Sequence, residues 1–256
     1  MKGKSFCVME ERTRDYYIAS VSCGNDSYCM VDLIIENALP LDEIVFYDTG
    51  MEFNCIYKLW DILCQKAERR GIKCTTLRPE VPFLTKMFDI EVRNRDGSGS
   101  HRGYSWCGGR CRWGTTEKKK ALDKYAESKN AFVYVGIAAD ELNRKPDKPY
   151  KLHPLKDFGY TQADCLAYNR ERGVRWLENG IDLYDILDRV SCWCCANKNR
   201  KELKNIYIYL PEYWEKLKDL QSKTDRPMKK FFNKKYGEYG NVFDMEKVFE
   251  ETDVVK

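Results

Sequence analysis

Two groups of residues in this 256-residue chain have the types and spacing to do chemistry. The first is Ser22-Cys23-Gly24-Asn25-Asp26-Ser27, which follows an apolar run and precedes a helix-patterned segment. A strand, a Gly-containing turn and a helix N-terminus make a nest of backbone N–H groups aimed at an anion, and the helix dipole reinforces it. Phosphate is the natural guest. No Gly-Lys-Ser/Thr follows four residues on, so the Lys-bearing loop is excluded and another phosphate loop is implied. The second group is built from cysteines. Cys107 and Cys111 form a C-x3-C pair, and Cys192 and Cys195 a C-x2-C pair with Cys194 as an extra thiol. Two such pairs brought together by a fold can supply four thiolates to one tetrahedral zinc ion or to a cubane iron–sulfur cluster, and the spacing within each pair suits either.

The elements that must position these residues can be read from periodicity. Strands are expected at Tyr16–Val21, Glu43–Tyr47, Lys73–Leu77 and Ala131–Gly136. Met30, Leu33, Ile34 and Ala38 recur at helical spacing, as do Ile56, Trp60, Leu63, Cys64 and Ala67 before Gly71. Alternating strands and helices predict an α/β three-layer sandwich with a largely parallel sheet. Asp48-Thr49-Gly50 then sits just after the second strand, and the loop from Gly136 to Glu141, with Arg144 beyond it, after the fourth. Both lie at the carboxyl edge, where open α/β sheets bind ligands. Residues 94–104, with Gly97, Gly99 and Gly103, read as a loop. Further helices are expected over Thr116–Ser128, from the capping-box-like Thr161-Gln162-Ala163-Asp164, over Lys201–Tyr209 and over Pro211–Lys223. The expected division is a nucleotide-binding α/β domain over residues 1–190 and a Cys-motif and helical extension over 191–256.

Taken in order, these segments resemble the phosphoadenylyl-sulfate (PAPS) reductase family and the related ATP pyrophosphatases, whose phosphate loop reads Ser-Gly-Gly-x-Asp-Ser. Cys23 replaces the first Gly and Ala138 replaces an expected Arg. The resemblance continues through His153-Pro154-Leu155, Tyr160 to Asp164, Asp188 to Cys195 and Arg200 to Leu203. It implies that Ser22, Gly24, Asn25, Asp26 and Ser27 hold phosphates, that Asp48, Thr49, Gly50 and Gly136 frame adenosine, and that Arg144 offsets negative charge. Lys118, or its neighbour Lys119, matches the Lys that follows the first cysteine motif in many relatives. The paired cysteines resemble those that hold the 4Fe-4S cluster of adenylyl-sulfate (APS) reductases, with zinc as the alternative metal.

Two reactions are open to such a protein. Reduction of APS or PAPS to sulfite uses, in the family, a nucleophilic Cys near the C-terminus, and no Cys follows Cys195. ATP-dependent activation needs a Mg2+-bound pyrophosphate leaving group, for which Asp26 is a hard-oxygen partner. The reading favoured is therefore an ATP-pyrophosphatase-type sulfurtransferase, with Asp26, Ser27 and Lys118 at the reacting phosphates and ATP, Mg2+ and a 4Fe-4S cluster as cofactors. Sulfonucleotide reduction, and a non-catalytic nucleotide-binding regulator with a structural zinc, are the alternatives. Only His101 and His153 are present, which disfavours a His-based triad. A net charge of +4 from 44 basic and 40 acidic residues does not by itself predict nucleic-acid binding. Lys118-Lys119-Lys120 and the segment from Lys229 to Lys235 would be its local footprints, although a solvated helix face and a snorkelling tail is the favoured reading of both. Candidate partners are a sulfur donor or reductant protein, a nucleic-acid acceptor and a second copy of the chain. Neither a run of about 18 apolar residues nor a basic cap before a hydrophobic stretch is seen, so a cytoplasmic protein with no membrane partner is expected, and its twelve cysteines point to metal or thiol chemistry rather than disulfides.

Overall fold

The computed structural model describes residues 14–109, 111–142 and 148–253; Arg144 lies outside the described residues. The chain opens with β1 (Tyr16–Val21), α1 (Asn25–Glu36), β2 (Glu43–Tyr47), α2 (Asn54–Glu68) and β3 (Lys73–Leu77). After α3 (Phe83–Phe88) comes an antiparallel hairpin, β4 (Glu91–Arg93) with β5 (Ser100–Arg102). A π-helical turn over Arg112–Thr116 leads into α4 (Glu117–Ser128), then β6 (Ala131–Val135), β7 (Lys151–Leu152), α5 (Pro154–Asp157) and α6 (Gln162–Glu171). A small hairpin of β8 (Leu177–Glu178) and β9 (Ile181–Asp182), α7 (Leu183–Ile186), α8 (Arg200–Tyr209) and α9 (Pro211–Ser222) follow. A third hairpin, β10 (Phe231–Asn233) with β11 (Gly237–Tyr239), and α10 (Val242–Asp253) complete the described chain.

The main sheet is parallel throughout, in the order β3-β2-β1-β6-β7. From β1 the chain winds outward through β2 and β3, then returns to place β6 on the other side of β1. The β1/β6 boundary is thus the topological switch point, where the connecting loops part and leave a crevice beyond the strands' carboxyl ends. The first three strands end where the sequence places them, and β6 stops one residue before Gly136.

Alternation along β1 separates two environments. Ala19 and Val21 join Ile44 and Phe46 of β2 and Tyr134 of β6 in a large buried cluster with α1 and α2. Ile18, Val45 and Val133 face the other way, into a smaller cluster with Ala126 of α4. The large cluster continues into Tyr213, Trp214 and Leu217 of α9 and Phe249 of α10. Glu178 locks that continuity. Its carboxylate accepts from Asn54 Nδ2 (3.1 Å), Cys55 N (2.9 Å) and Tyr213 OH (2.9 Å), placing negative charge at the N-terminus of α2. The capping box expected at Thr161 is present, with Thr161 Oγ1 accepting from Asp164 N and Asp164 Oδ2 from Thr161 N.

One expectation is corrected: within residues 94–104, Ser100–Arg102 pairs with Glu91–Arg93 rather than remaining loop. The segment after residue 190 carries α8, α9 and α10 together with the β10–β11 hairpin.

Candidate functional site

The loop after β1 folds as a strand-to-helix turn although Cys23 stands where the Ser-Gly-Gly-x-Asp-Ser pattern has its first Gly. Cys23 takes φ +54°, the left-handed region that glycine enters freely and a Cβ makes costly. Its side chain is fully buried, and its carbonyl accepts from Trp176 Nε1 at 2.7 Å. Gly24 is the N-cap of α1. The Ser27 hydroxyl donates to Gly24 O (3.1 Å), accepts from Ser22 N (3.2 Å) and lies 3.3 Å from Ser22 Oγ, closing the loop on itself. Asn25 is also turned inward: Nδ2 donates to Gln162 O (2.9 Å), Oδ1 accepts from Asn169 Nδ2 (2.9 Å), and its backbone N–H donates to Tyr184 OH (2.7 Å). Ser22 is the exposed member of the loop and Asp26 is half-exposed.

Gly136, just after β6, has a steric reason to be glycine. A Cβ there would stand 3.0 Å from both N and Cα of Ser27. The switch-point loop therefore presses directly on the first turn of α1, and any side chain would push the two apart. At the end of β2, Asp48 holds its own turn: Oδ1 accepts from Gly50 N (2.8 Å) and Tyr57 OH (2.8 Å), and Oδ2 from Arg78 Nε (3.2 Å). Gly50 there has φ +76°. Thr49 points elsewhere. Its Oγ1 donates to Glu52 Oε1 (2.9 Å) and lies 3.5 Å from Cys192 Sγ, while Cys192 Sγ lies 3.7 Å from Glu52 Oε1. Trp193 N donates to Met51 O (3.0 Å), a second stitch between this turn and the second cysteine loop.

The two cysteine loops meet. Asn197 Nδ2 donates to Gly109 O (2.8 Å) and Asn197 Oδ1 accepts from Gly109 N (2.6 Å), so one side-chain amide pairs with both backbone polar groups of a residue in the other loop. Cys111 caps the π-helical turn, its Sγ accepting from Gly114 N at 3.3 Å. Between these loops, α4 and the β1/β6 edge lies a cavity of about 480 Å³, within the range of small-molecule sites. Ser22, Thr49, Lys118, Cys107, Cys111, Cys192 and Cys195 all line it, as do Cys194 and Glu52. Gly24, Asn25, Asp26, Ser27, Asp48, Gly50 and Gly136 do not; they build the loops from which Ser22, Thr49 and Ile137 reach it.

Burial dominates the electrostatics here. It pushes the Glu52 carboxyl up, against the opposing influence of the Lys118 ammonium and the hydrogen bonds from Thr49 and Cys192. It likewise drives the Cys192 and Cys194 thiols well above their ordinary range. Among the described residues, no three His, Cys, Asp or Glu side chains close on a single metal ion. The donor chemistry nonetheless fits a soft metal: five thiols from two loops face one cavity, a set that suits zinc or iron and not magnesium.

Sequence reasoning missed Glu52, Asn197 and the cavity-lining Arg189. Glu52 carried a faint signal, standing two residues beyond the Asp48-Thr49-Gly50 turn. Asn197 carried none, because its partner is 88 positions away.

No family model matches the chain. It is 27% identical over 223 residues to an uncharacterized protein, MJ0066, of Methanocaldococcus jannaschii. That alignment takes in 80% of this chain and 41% of the relative, so the chain spans under half the relative's length. Among solved structures, the U34-tRNA thiolase NcsA from Methanococcus maripaludis with its [4Fe-4S] cluster aligns at a TM-score of 0.43 and 12% identity, over 95% of this chain and 74% of that one. No described helix is long and apolar enough to cross a membrane. The α/β architecture, with a five-stranded parallel sheet flanked by helices, is the one the alternation of strands and helices in the sequence predicts.

Proposed function

We propose that the protein is an ATP-pyrophosphatase-type sulfurtransferase, related to the PAPS reductases, that cleaves ATP to AMP and pyrophosphate to activate an acceptor for sulfur. The observation that carries this reading is one cavity at the switch point lined by Ser22 of the phosphate loop, Lys118 of α4 and cysteines from both motifs. Nucleotide chemistry and thiol chemistry would then share a chamber.

In this scheme the loop from Ser22 to Ser27 holds the β- and γ-phosphates, and Asp26 takes the Mg2+ that accompanies them. An acceptor oxygen attacks the α-phosphorus, the bond from that phosphorus to the bridging oxygen breaks, and pyrophosphate leaves. Lys118 offsets charge on the α-phosphate as it develops. A sulfur nucleophile then attacks the adenylated carbon and AMP departs. Cys107, Cys111, Cys192 and Cys195 would hold a 4Fe-4S cluster, which when bound would supply a polarisable, redox-active group beside the nucleotide. Arg144 is assigned to offset negative charge, and a nucleic-acid acceptor and a sulfur-donor protein are the partners such chemistry calls for.

The test compares the affinity of anaerobically purified protein for Mg-ATP, APS and PAPS, followed by assay for AMP and pyrophosphate. Tightest binding of Mg-ATP, with pyrophosphate release abolished in a folded Asp26→Ala variant, is expected. Preference for a sulfonucleotide would replace this reading with reduction, and full activity of Asp26→Ala would remove the phosphate-loop assignment.

A further inference from the structure

Lys198 follows the second cysteine pair and is only 2% exposed. Its Nζ donates to Ser191 Oγ at 3.1 Å and stands 5.5 Å from the centre of the Phe53 ring. Among the described residues no carboxylate forms an ion pair with it. The Glu202 carboxylate, whose field reaches it, is already committed: its oxygens accept from Asp188 N (3.2 Å) and Asn199 N (2.8 Å) at the start of α8. A neutral hydroxyl and an aromatic face cannot balance an ammonium taken out of water, and a buried charge without an opposite charge is strongly unfavourable. Burial pulls the Lys198 ammonium below its ordinary range, opposed by Cys195, Glu202, Cys192 and Cys194, and the Ser191 hydroxyl that its Nζ reaches immediately precedes Cys192. Its backbone N–H also donates to Cys195 O at 3.2 Å, so the lysine is fixed to the loop that carries them.

We infer that Lys198 is the built-in counter-charge of the Cys192–Cys195 loop, offsetting the negative charge that this loop acquires when its thiols bind a metal centre as thiolates. Four thiolates carry more negative charge than a zinc ion or a cubane core carries positive, so the loaded site is a net anion in a poorly solvated place. A fixed cation held at Ser191, next to Cys192, lowers the cost of holding that charge. The same cation is a burden when the site is empty. This inference rests on the metal-bearing reading of the four cysteines, and it gives Lys198 opposite effects on the loaded and the empty protein, which a purely structural lysine would not have.

The experiment uses the full chain purified anaerobically, with iron and zinc content measured, and compares wild type with Lys198→Met, or with Lys198→Gln should the methionine variant not fold. Two quantities are read: the rate at which metal passes to a chelator, and the melting temperature after metal removal. Metal loss is expected to be about 10–100-fold faster in the variant, as for other groups that support a metal's ligands, while the metal-free variant melts no lower than metal-free wild type. Equal rates of metal loss, or a metal-free variant that melts lower, would overturn the counter-charge role and leave the cluster reading standing. Wild-type protein that carries neither iron nor zinc would overturn the cluster reading, and this inference with it.

Discussion

On one face of the parallel sheet, Ala19, Val21, Ile44, Phe46 and Tyr134 are sealed under α1 and α2 in a cluster that runs on into α9 and α10. On the other, Ile18, Val45 and Val133 meet α4 and Tyr150, and toward the carboxyl edge that face opens into the cavity. The sequence of β1 writes the difference. Residues 17, 19 and 21 stay apolar on the packed face, whereas the alternate positions change from Ile18 to Ser20 and Ser22 as the strand nears the loop. Apolar packing on the second face therefore thins where polar groups line a ligand-sized space. Stability is concentrated on one side of the sheet and the candidate chemistry on the other, so substitutions on the two sides should separate the two properties.

The largest effect is expected from the packed face. Leu63 of α2 is fully buried, and Leu63→Ala should destabilise the fold by about 3–5 kcal/mol through lost burial and the void left behind. Denaturant unfolding measures that cost, and nucleotide turnover per folded molecule should not change. A large drop in turnover of the folded fraction would show that the two faces are not independent. On the cavity face, Lys118→Ala should do the reverse: unfolding within about 0.5 kcal/mol of wild type, and pyrophosphate release slowed about a hundredfold, roughly 2.7 kcal/mol in barrier height. Unchanged turnover would remove Lys118 from the reacting phosphates.

One residue crosses this division. Glu43, fully buried at the start of β2, is pushed up by burial, but hydrogen bonds from Thr75, Tyr125 and Lys73 outweigh it and hold the carboxyl below its ordinary range. Tyr125 belongs to α4, so this carboxylate pins to the sheet the helix that carries Lys118. Because the folded state favours the ionised form, the contribution is complete above the unfolded carboxyl's titration near pH 4.3 and is lost as pH falls through the lower folded value. Glu43→Gln should therefore cost about 1–3 kcal/mol at pH 7, with the gap to wild type closing below about pH 4. A gap that does not narrow at all as pH falls below about 4 would mean that shape rather than charge matters at this position.

What the sequence made legible follows the same physics. β1 and β2 were readable to the residue because each is a short, largely apolar run closed by turn residues, and β3, only partly buried, because its Cys74, Thr75 and Thr76 suit a strand and Gly71 ends the helix before it. β7 was not: Lys151–Leu152 is two residues long, and it is a strand only because Val133 and Tyr134 offer it a ladder. The β4–β5 hairpin escaped because Ser100-His101-Arg102 is exposed on every residue and has no apolar alternation to betray it. Of the candidate site, residue types and local spacing were visible, including both cysteine pairs and the three rim loops. The division of labour inside each loop was not. That Ser22 and Thr49 face the cavity while Ser27, Asn25 and Asp48 brace the turns depends on partners such as Tyr184, Asn169 and Arg78, which lie far along the chain.

The smallest effect expected is also the most discriminating about the phosphate loop. Cys23 combines a left-handed backbone, which costs a residue with a Cβ about 1–2 kcal/mol, with a side chain buried on the packed face. Cys23→Gly relieves the backbone and loses the packed thiol, so the two changes nearly offset and stability should move by no more than about 1 kcal/mol. Cys23→Ala loses the thiol and keeps the strain. The glycine variant should consequently be the more stable of the two by about 1 kcal/mol, an inversion of the usual order, in which Gly is the worse choice. Paired unfolding curves measure this, and nucleotide affinity should survive in the glycine variant, whose loop then reads Ser-Gly-Gly-Asn-Asp-Ser. If alanine proves the more stable, the turn has relaxed out of the left-handed region, and the loop geometry at the head of α1 is held by packing around Cys23 rather than by the backbone conformation.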